Sequence, residues 1–201
     1  MRPTLSTRRQ PKNGGVSMPD NVDLPASAFW TFTLAVYRKE GVSAASIALQ
    51  DRLGLDVNFL LLCLYAGSRG RALTPGDFAR LEVRVAPWRQ NVIHPLRAVR
   101  RWLKEQQLLE KAPSDQLRRG VLSHEIESEG VQQRLMEVAV TIPEGSSSAS
   151  TAACNLATYL VWARVKPGES DGTDLATLLS QVFRPLSLED AKSLLQKILN
   201  S

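Results

Sequence analysis

From Phe78 onward, apolar residues fall at Phe78, Leu81, Val85, Trp88, Val92, Leu96, Val99 and Leu103. Spacings of three and four place them on one side of an α-helix. The pattern runs straight through Pro87 and Pro95, each of which lacks an N–H and crowds the carbonyl four residues back. The spacing therefore predicts one long helical direction with two kinks, or a break at His94-Pro95. Crowding by Pro95 takes His94 out of the right-handed helical region and assigns it the bend. A second seam, Leu117, Val121, His124, Ser128, Val131, Leu135, Val138 and Ile142, predicts a helix over 114–142. It carries two polar positions, His124 and Ser128, turned inward with the rest.

The other segments read as helices too. Pro25 opens one that runs to Glu40 and stops at Gly41; its aromatic and aliphatic residues lie almost all round, so it is expected to be buried. Ser43 caps the next, ending at Leu53-Gly54, and Asp56 caps a third through the unbroken apolar run Phe59 to Ala66, stopped by Gly67 and Gly70. Thr74-Pro75 is a cap with a proline in the first turn. After Ser146-Ser147-Ser148, a small hinge, come helices over about 149–165 and 174–183, and a last one capped by Ser187. No alternating run supports a strand. The expected fold is all-α, an orthogonal or irregular bundle of seven to eight helices with a proline-kinked long helix. Residues 1–23 read as a disordered basic tail, with Met18 as an alternative start, 24–142 as the helical core domain and 143–201 as an appended helical segment.

The net charge of +5 is local rather than spread. Residues 71–111 hold nine Lys/Arg against four Asp/Glu, and the first twenty hold four against one. Such asymmetry favours an acidic protein partner, a polyanion or an anionic surface. Cys63 and Cys154 stand far apart in apolar runs with no metal-ligand spacing, which reads as two buried thiols in a reduced, cytoplasmic protein. The apolar runs are too short for a bilayer, so no membrane contact is expected.

The basic excess peaks beside the first seam. Arg97, Arg100, Arg101 and Lys104 place four cations in two turns, His94 lies one turn earlier, and Trp88, Arg89 and Trp102 flank them. These eight residues are the candidate binding face. Its cations would meet phosphates, nucleic acid or acidic side chains, or lie solvated and partly neutralised by neighbouring acids. Trp102 would stack on a base, or pack at the rim of the core. His94 is either a general base or a helix-end His bonded to a freed carbonyl. His124 and Ser128 are a satisfied polar pair in the core or the lining of a small pocket. Gly67-Ser68-Arg69-Gly70-Arg71 is either an anion nest or a simple end-of-helix turn.

No nucleotide loop GxxxxGK[ST], no GxGxxG after a strand, no GxSxG, no DDxxD and no HExxH is present, so no catalytic residue, metal or cofactor is assigned. Four sets of residues carry a resemblance instead: Phe29-Trp30-x-Phe32-x-Leu34-x-Val36-Tyr37, Leu49-Gln50-Asp51 through Asp56-Val57-Asn58, Leu61-Leu62-Cys63, and Trp88 with Pro95-Leu96-Arg97-x-x-Arg100-Arg101. Together, over about residues 26–140, the chain resembles an uncharacterised proteobacterial family of small helical proteins. The resemblance implies an all-helical fold and a bacterial cytoplasmic protein, and brings no activity. The leading expectation is a non-enzymatic interaction or adaptor protein that docks an acidic partner on residues 88–104. The alternatives are nucleic-acid or phosphorylated-ligand binding on the same face, and an enzyme or small-ligand binder with an interhelical pocket near His94 and His124.

Overall fold

A computed structural model describes residues 27–106 and 111–200. The tail expected over 1–23, the start at Met18 and the helix opening at Pro25 lie outside the described residues. Within them the chain is all-helical: α1 (Ala28–Tyr37), α2 (Val42–Leu53), α3 (Val57–Ser68), α4 (Pro75–Trp88), a π turn (Arg89–Ile93), α5 (His94–Glu105), α6 (Lys111–Ala139), α7 (Ala149–Trp162), α8 (Glu169–Val182) and α9 (Leu188–Leu199). The π turn joins α4 and α5 into one rod, so the described bundle has eight helical pieces. Local chemistry starts most of them where expected. Asp56 accepts from Asn58 N–H at the head of α3, Thr74 and Asp77 form a reciprocal cap on α4, and Ser148 and Ser187 cap α7 and α9. Gly41, rather than Ser43, opens α2, in a left-handed conformation (φ 76°) that a side chain disfavours.

The rod shows where apolar spacing misleads. Phe78, Leu81 and Val85 are buried as expected. Then the π turn, closed by His94 N–H donating to Arg89 O, inserts one residue into the helical repeat. The turn also meets the needs of Pro95, which has no N–H for Asn91 O, and His94 keeps ordinary helical angles (φ −60°, ψ −43°) instead of leaving them. Beyond the turn the inward series is displaced by one residue: Ile93 is buried in place of Val92, and Val99 is exposed. Arg97 and Arg100 now lie on the side that meets α6, together with Leu103, which is buried as the spacing predicts.

The long helix α6 is rotated by a similar step from its expected seam. Glu125, Gln132, Met136 and Val140 are buried, whereas Leu117, His124 and Val138 are exposed. His124 therefore does not face the core with Ser128; it sits in solvent beside Glu127 (3.0 Å), while Ser128 alone is buried. The cause is the partner surface. A helix that packs on guanidinium groups buries carboxylates and amides, which a search for apolar spacing reads as its wet side.

Residues beyond 142 pack into the same core as the preceding helices. α3, the apolar run, is packed lengthwise by α7, and one continuous core joins Phe29, Phe59 and Phe78 to Leu156, Tyr159, Leu175 and Leu195. Phe59, Phe78 and Tyr159 stack within it and half-buried Trp162 completes the aromatic cluster at its edge, with ring centroids 5.3–6.2 Å apart. The expected hinge at Ser146–Ser148 is pinned: Ser148 N–H donates to Gly67 O, and Gly70 and Gly145 allow the two strands of backbone to touch. The Gly67–Arg71 stretch is an end-of-helix turn whose cations are engaged, Arg69 with Glu144 and over the Tyr65 ring, Arg71 with Asp77. Cys63 is buried, but Cys154 is exposed on the outer side of α7, contrary to the two buried thiols expected.

The close approach of α3 and α7 rests on Gly67, where an added Cβ would lie 2.3 Å from the Ala152 Cβ. Gly67→Ala is expected to lower stability by about 1–3 kcal/mol through overpacking. Gly120→Ala, in α6 with open space around it, is expected to raise stability by up to about 1 kcal/mol. Urea unfolding of the two variants reads both, and equal shifts would contradict the packing described.

Candidate functional site

Three of the expected binding cations are turned into the protein. The Arg100 guanidinium grips Glu125 through Nε (2.5 Å) and Nη2 (3.2 Å), and Arg97 bridges Glu125 (3.3 Å) and Glu129. The Arg97 side chain is 22% exposed and that of Arg100 26%, against 61% for Arg101. Arg89, in the π turn, is held by Asp56 (3.0 Å) and Glu82 (2.5 Å). Trp88 is half-buried and donates its indole N–H to Ser128 O (2.9 Å), fixing α4 on α6. The face expected over residues 88–104 thus divides. Arg89, Arg97 and Arg100 build the interior, whereas His94, Arg101, Trp102 (56% exposed) and Lys104 reach solvent.

Because α5 rests on α6 through charged groups, it stands clear of α2, and a trench of mixed polar and apolar lining runs between them. Two adjoining cavities, of about 840 and 690 Å³, form its ends and share Gln50, Asp51, Arg97, Arg101 and Glu129 in their walls. The α7 end is lined by Asp56, Phe59, Arg89, His94, Gln132, Tyr159 and Trp162. The α1 end is lined by Trp30, Thr33, Tyr37, Asn58, Arg100, Lys104 and Gln133. Arg101 and Asp51 face each other across the top at 4.0 Å, the outer limit of an ion pair.

The floor is a connected hydrogen-bond network. Asp56 accepts from Asn58 N–H (2.8 Å), Arg89 Nη1 (3.0 Å) and Gln132 Nε2 (2.8 Å), while its own N–H donates to the Tyr159 hydroxyl (2.9 Å). Asn58 donates its amide to Glu129 and accepts from Gln133 Nε2 (2.7 Å), and Thr33 donates to Gln133 Oε1 (3.0 Å). Three buried side-chain atoms among the described residues have no partner, and one of them, Ser46 Oγ in α2, belongs to a residue that lines neither cavity. Gln132 Oε1 faces the α7 end, and since a carboxylate only accepts, the amide orientation is fixed by Asp56. At the α1 end it is the Trp30 indole N–H. Unmatched buried polar atoms are rare, and two of the three here belong to residues of the cavity walls.

Electrostatics single out Glu129. Burial pushes its carboxyl up to about 7, the charge of Asp56 adds to that, and Arg97 and the Asn58 amide oppose it. The His94 imidazole is held below its ordinary value by partial burial and by Arg97 and Arg89. Burial, then Asp56, raises the Tyr159 hydroxyl, which keeps it protonated. Among the described residues no group of three His, Cys, Asp or Glu is placed to hold a metal ion, and no helix is long and apolar enough to cross a membrane. Sequence reasoning reached the cationic half of this site and missed Asp56, Asn58, Glu125, Glu129, Gln132 and Gln133. The spacing Glu125, Glu129, Gln132, Met136 was the available signal.

The chain belongs to a family described as Protein of unknown function (DUF2390), whose model matches residues 28–136. The matched stretch spans α1 to α6, including Asp56, Arg89, Arg97, Glu129 and Gln132, and stops short of Tyr159 and Trp162. No curated protein and no solved structure matches the chain.

Between pH 4.5, where an ordinary glutamate releases its proton, and about 7, the folded protein retains a proton on Glu129 that the unfolded chain has lost. Stability therefore falls as pH rises through that window. Relative to E129Q, the native protein is expected to lose up to about 3 kcal/mol between those limits and nothing further above them. Urea unfolding at several pH values measures this, and parallel profiles for the two proteins would contradict it.

Proposed function

We propose that this protein binds a small polar molecule in the trench between α2 and α5. The observation that carries the reading is that two of the three buried, partnerless polar atoms among the described residues, Gln132 Oε1 and Trp30 Nε1, belong to residues lining the two ends of the same groove. A buried polar group without a partner costs about 1–3 kcal/mol, a cost that a ligand with matching groups removes. Cavities of this size suit small molecules, which typically occupy about 300–1,000 Å³. The rigid floor, built from α3 and α6, and the ion-paired wall of α5 supply a preformed site. Of the readings open at the level of sequence, this one uses the cations where they lie. Arg97 and Arg100 hold carboxylates of their own chain, so they are walls of a site rather than a free docking charge.

A second reading, contact with a protein partner, is favoured by the outer side of α5, where Trp102 and Val99 are exposed beside Arg101 and Lys104. Its test is charge reversal at Arg101 and Lys104 with Trp102→Ala, which spares the interior pairs.

Backbone amide NMR in the presence of a small-molecule extract, below about 1 kDa, of the cells that naturally make the protein tests the main reading. Shifts clustered on residues 50–58, 89–101 and 129–133, abolished by the trench-filling change Ala98→Trp, are expected. An unchanged spectrum, or shifts confined to Val99, Trp102 and Lys104, would overturn it.

A further inference from the structure

The trench is not the same at its two ends, and the α7 end has the features of a ring-binding site. Phe59, Tyr159 and Trp162 line it, and Trp162 lies parallel to Phe59 (interplanar angle 7°) while itself half-buried at the cavity wall. Two residues of this lining, Gln132 and Tyr159, are each hydrogen-bonded to Asp56. Gln132 donates to the Asp56 carboxylate and leaves Oε1 as an unmatched acceptor; Tyr159 accepts from the Asp56 N–H and keeps its own hydroxyl hydrogen to donate. An acceptor and a donor on one hub, beside an aromatic wall, are complementary to a flat ring edge that carries an N–H donor next to a ring acceptor.

The rim supplies the opposite charge. Arg101 is exposed, lines both cavities and meets Asp51 only at 4.0 Å, so its guanidinium fork can close on an anionic group. Arg97 and Arg89 cannot do so without leaving Glu129, Glu125, Asp56 and Glu82. A ligand that runs from the floor to the rim therefore presents its N–H edge inward and its negative group outward.

Resting on the reading of the trench as a small-molecule site, we infer that its α7 end takes a planar amino-heteroaromatic bearing an anionic substituent, the chemistry of a purine nucleotide. The ring packs at Trp162, the exocyclic amine donates to Gln132 Oε1, the ring nitrogen accepts from Tyr159, and the anion pairs with Arg101.

Isothermal titration and the indole N–H signal of Trp162, with AMP, adenosine and ribose 5-phosphate as separate probes, test this on the full chain. AMP is expected to bind and move the Trp162 signal, adenosine to bind about tenfold more weakly, and ribose 5-phosphate more weakly still. Arg101→Met, an exposed position that leaves the fold intact, should bring AMP down to the adenosine level. Gln132→Met should weaken AMP and adenosine alike, with thermal melting confirming that the variant folds. Ribose 5-phosphate binding as well as AMP would overturn the ring assignment. If none of the three binds while the cell extract still shifts trench residues, the ligand class falls and the site stands; if neither binds, both fall.

Discussion

The architecture depends on how α5 is attached. Only Leu103 among its residues is buried, so α5 lacks the apolar stripe that normally seats a helix. What holds it is the lattice of Arg97 and Arg100 against Glu125 and Glu129. Pairs of this kind gain little in net stability over a well-packed apolar contact, yet losing one partner is expensive because it strands the other charge away from water. The attachment is thus specific rather than strong. Two arginines sharing one glutamate also fix the rotation of α5 about its own axis, which an oily seam tolerates less strictly.

That attachment keeps the trench open. Had α5 carried its apolar residues inward, hydrophobic contact would have drawn it against α2 and filled the space. With charged groups facing α6 and their outer neighbours facing α2, the groove retains polar walls. The same arrangement brings the π turn, Asp56 and Glu129 together, and lowers the local dielectric enough to lift the Glu129 carboxyl towards neutrality. Fold and site are one construction here: the π turn that accommodates Pro95 is also the device that aims Arg89 at Asp56.

Much of the fold was legible from residue pattern. The caps at Asp56, Thr74 and Ser187, the buried run from Phe59 to Ala66 and the proline-joined rod follow from local chemistry that acts wherever such residues occur. The rotation of α5 and α6 was not legible, because each uses the other's polar face as its support and apolar periodicity carries no information about such a pairing. A one-residue insertion at the π turn moves the inward side of α5 by about a quarter of a turn, enough to exchange Leu96 and Val99 for Arg97 and Arg100. The central place of α7 was hidden for a different reason. Its contact with α3 depends on Gly67 and Ala152, two small residues 85 positions apart whose match only the tertiary structure reveals.

A double-mutant cycle between Arg100→Met and Glu125→Leu tests the central claim most directly, with each single variant and the pair measured by urea unfolding. The account predicts a coupling of about 1.5–3 kcal/mol, the range of a charge-assisted hydrogen bond shielded from solvent. A coupling below about 0.5 kcal/mol, typical of an exposed ion pair, would show that α5 is seated by something else.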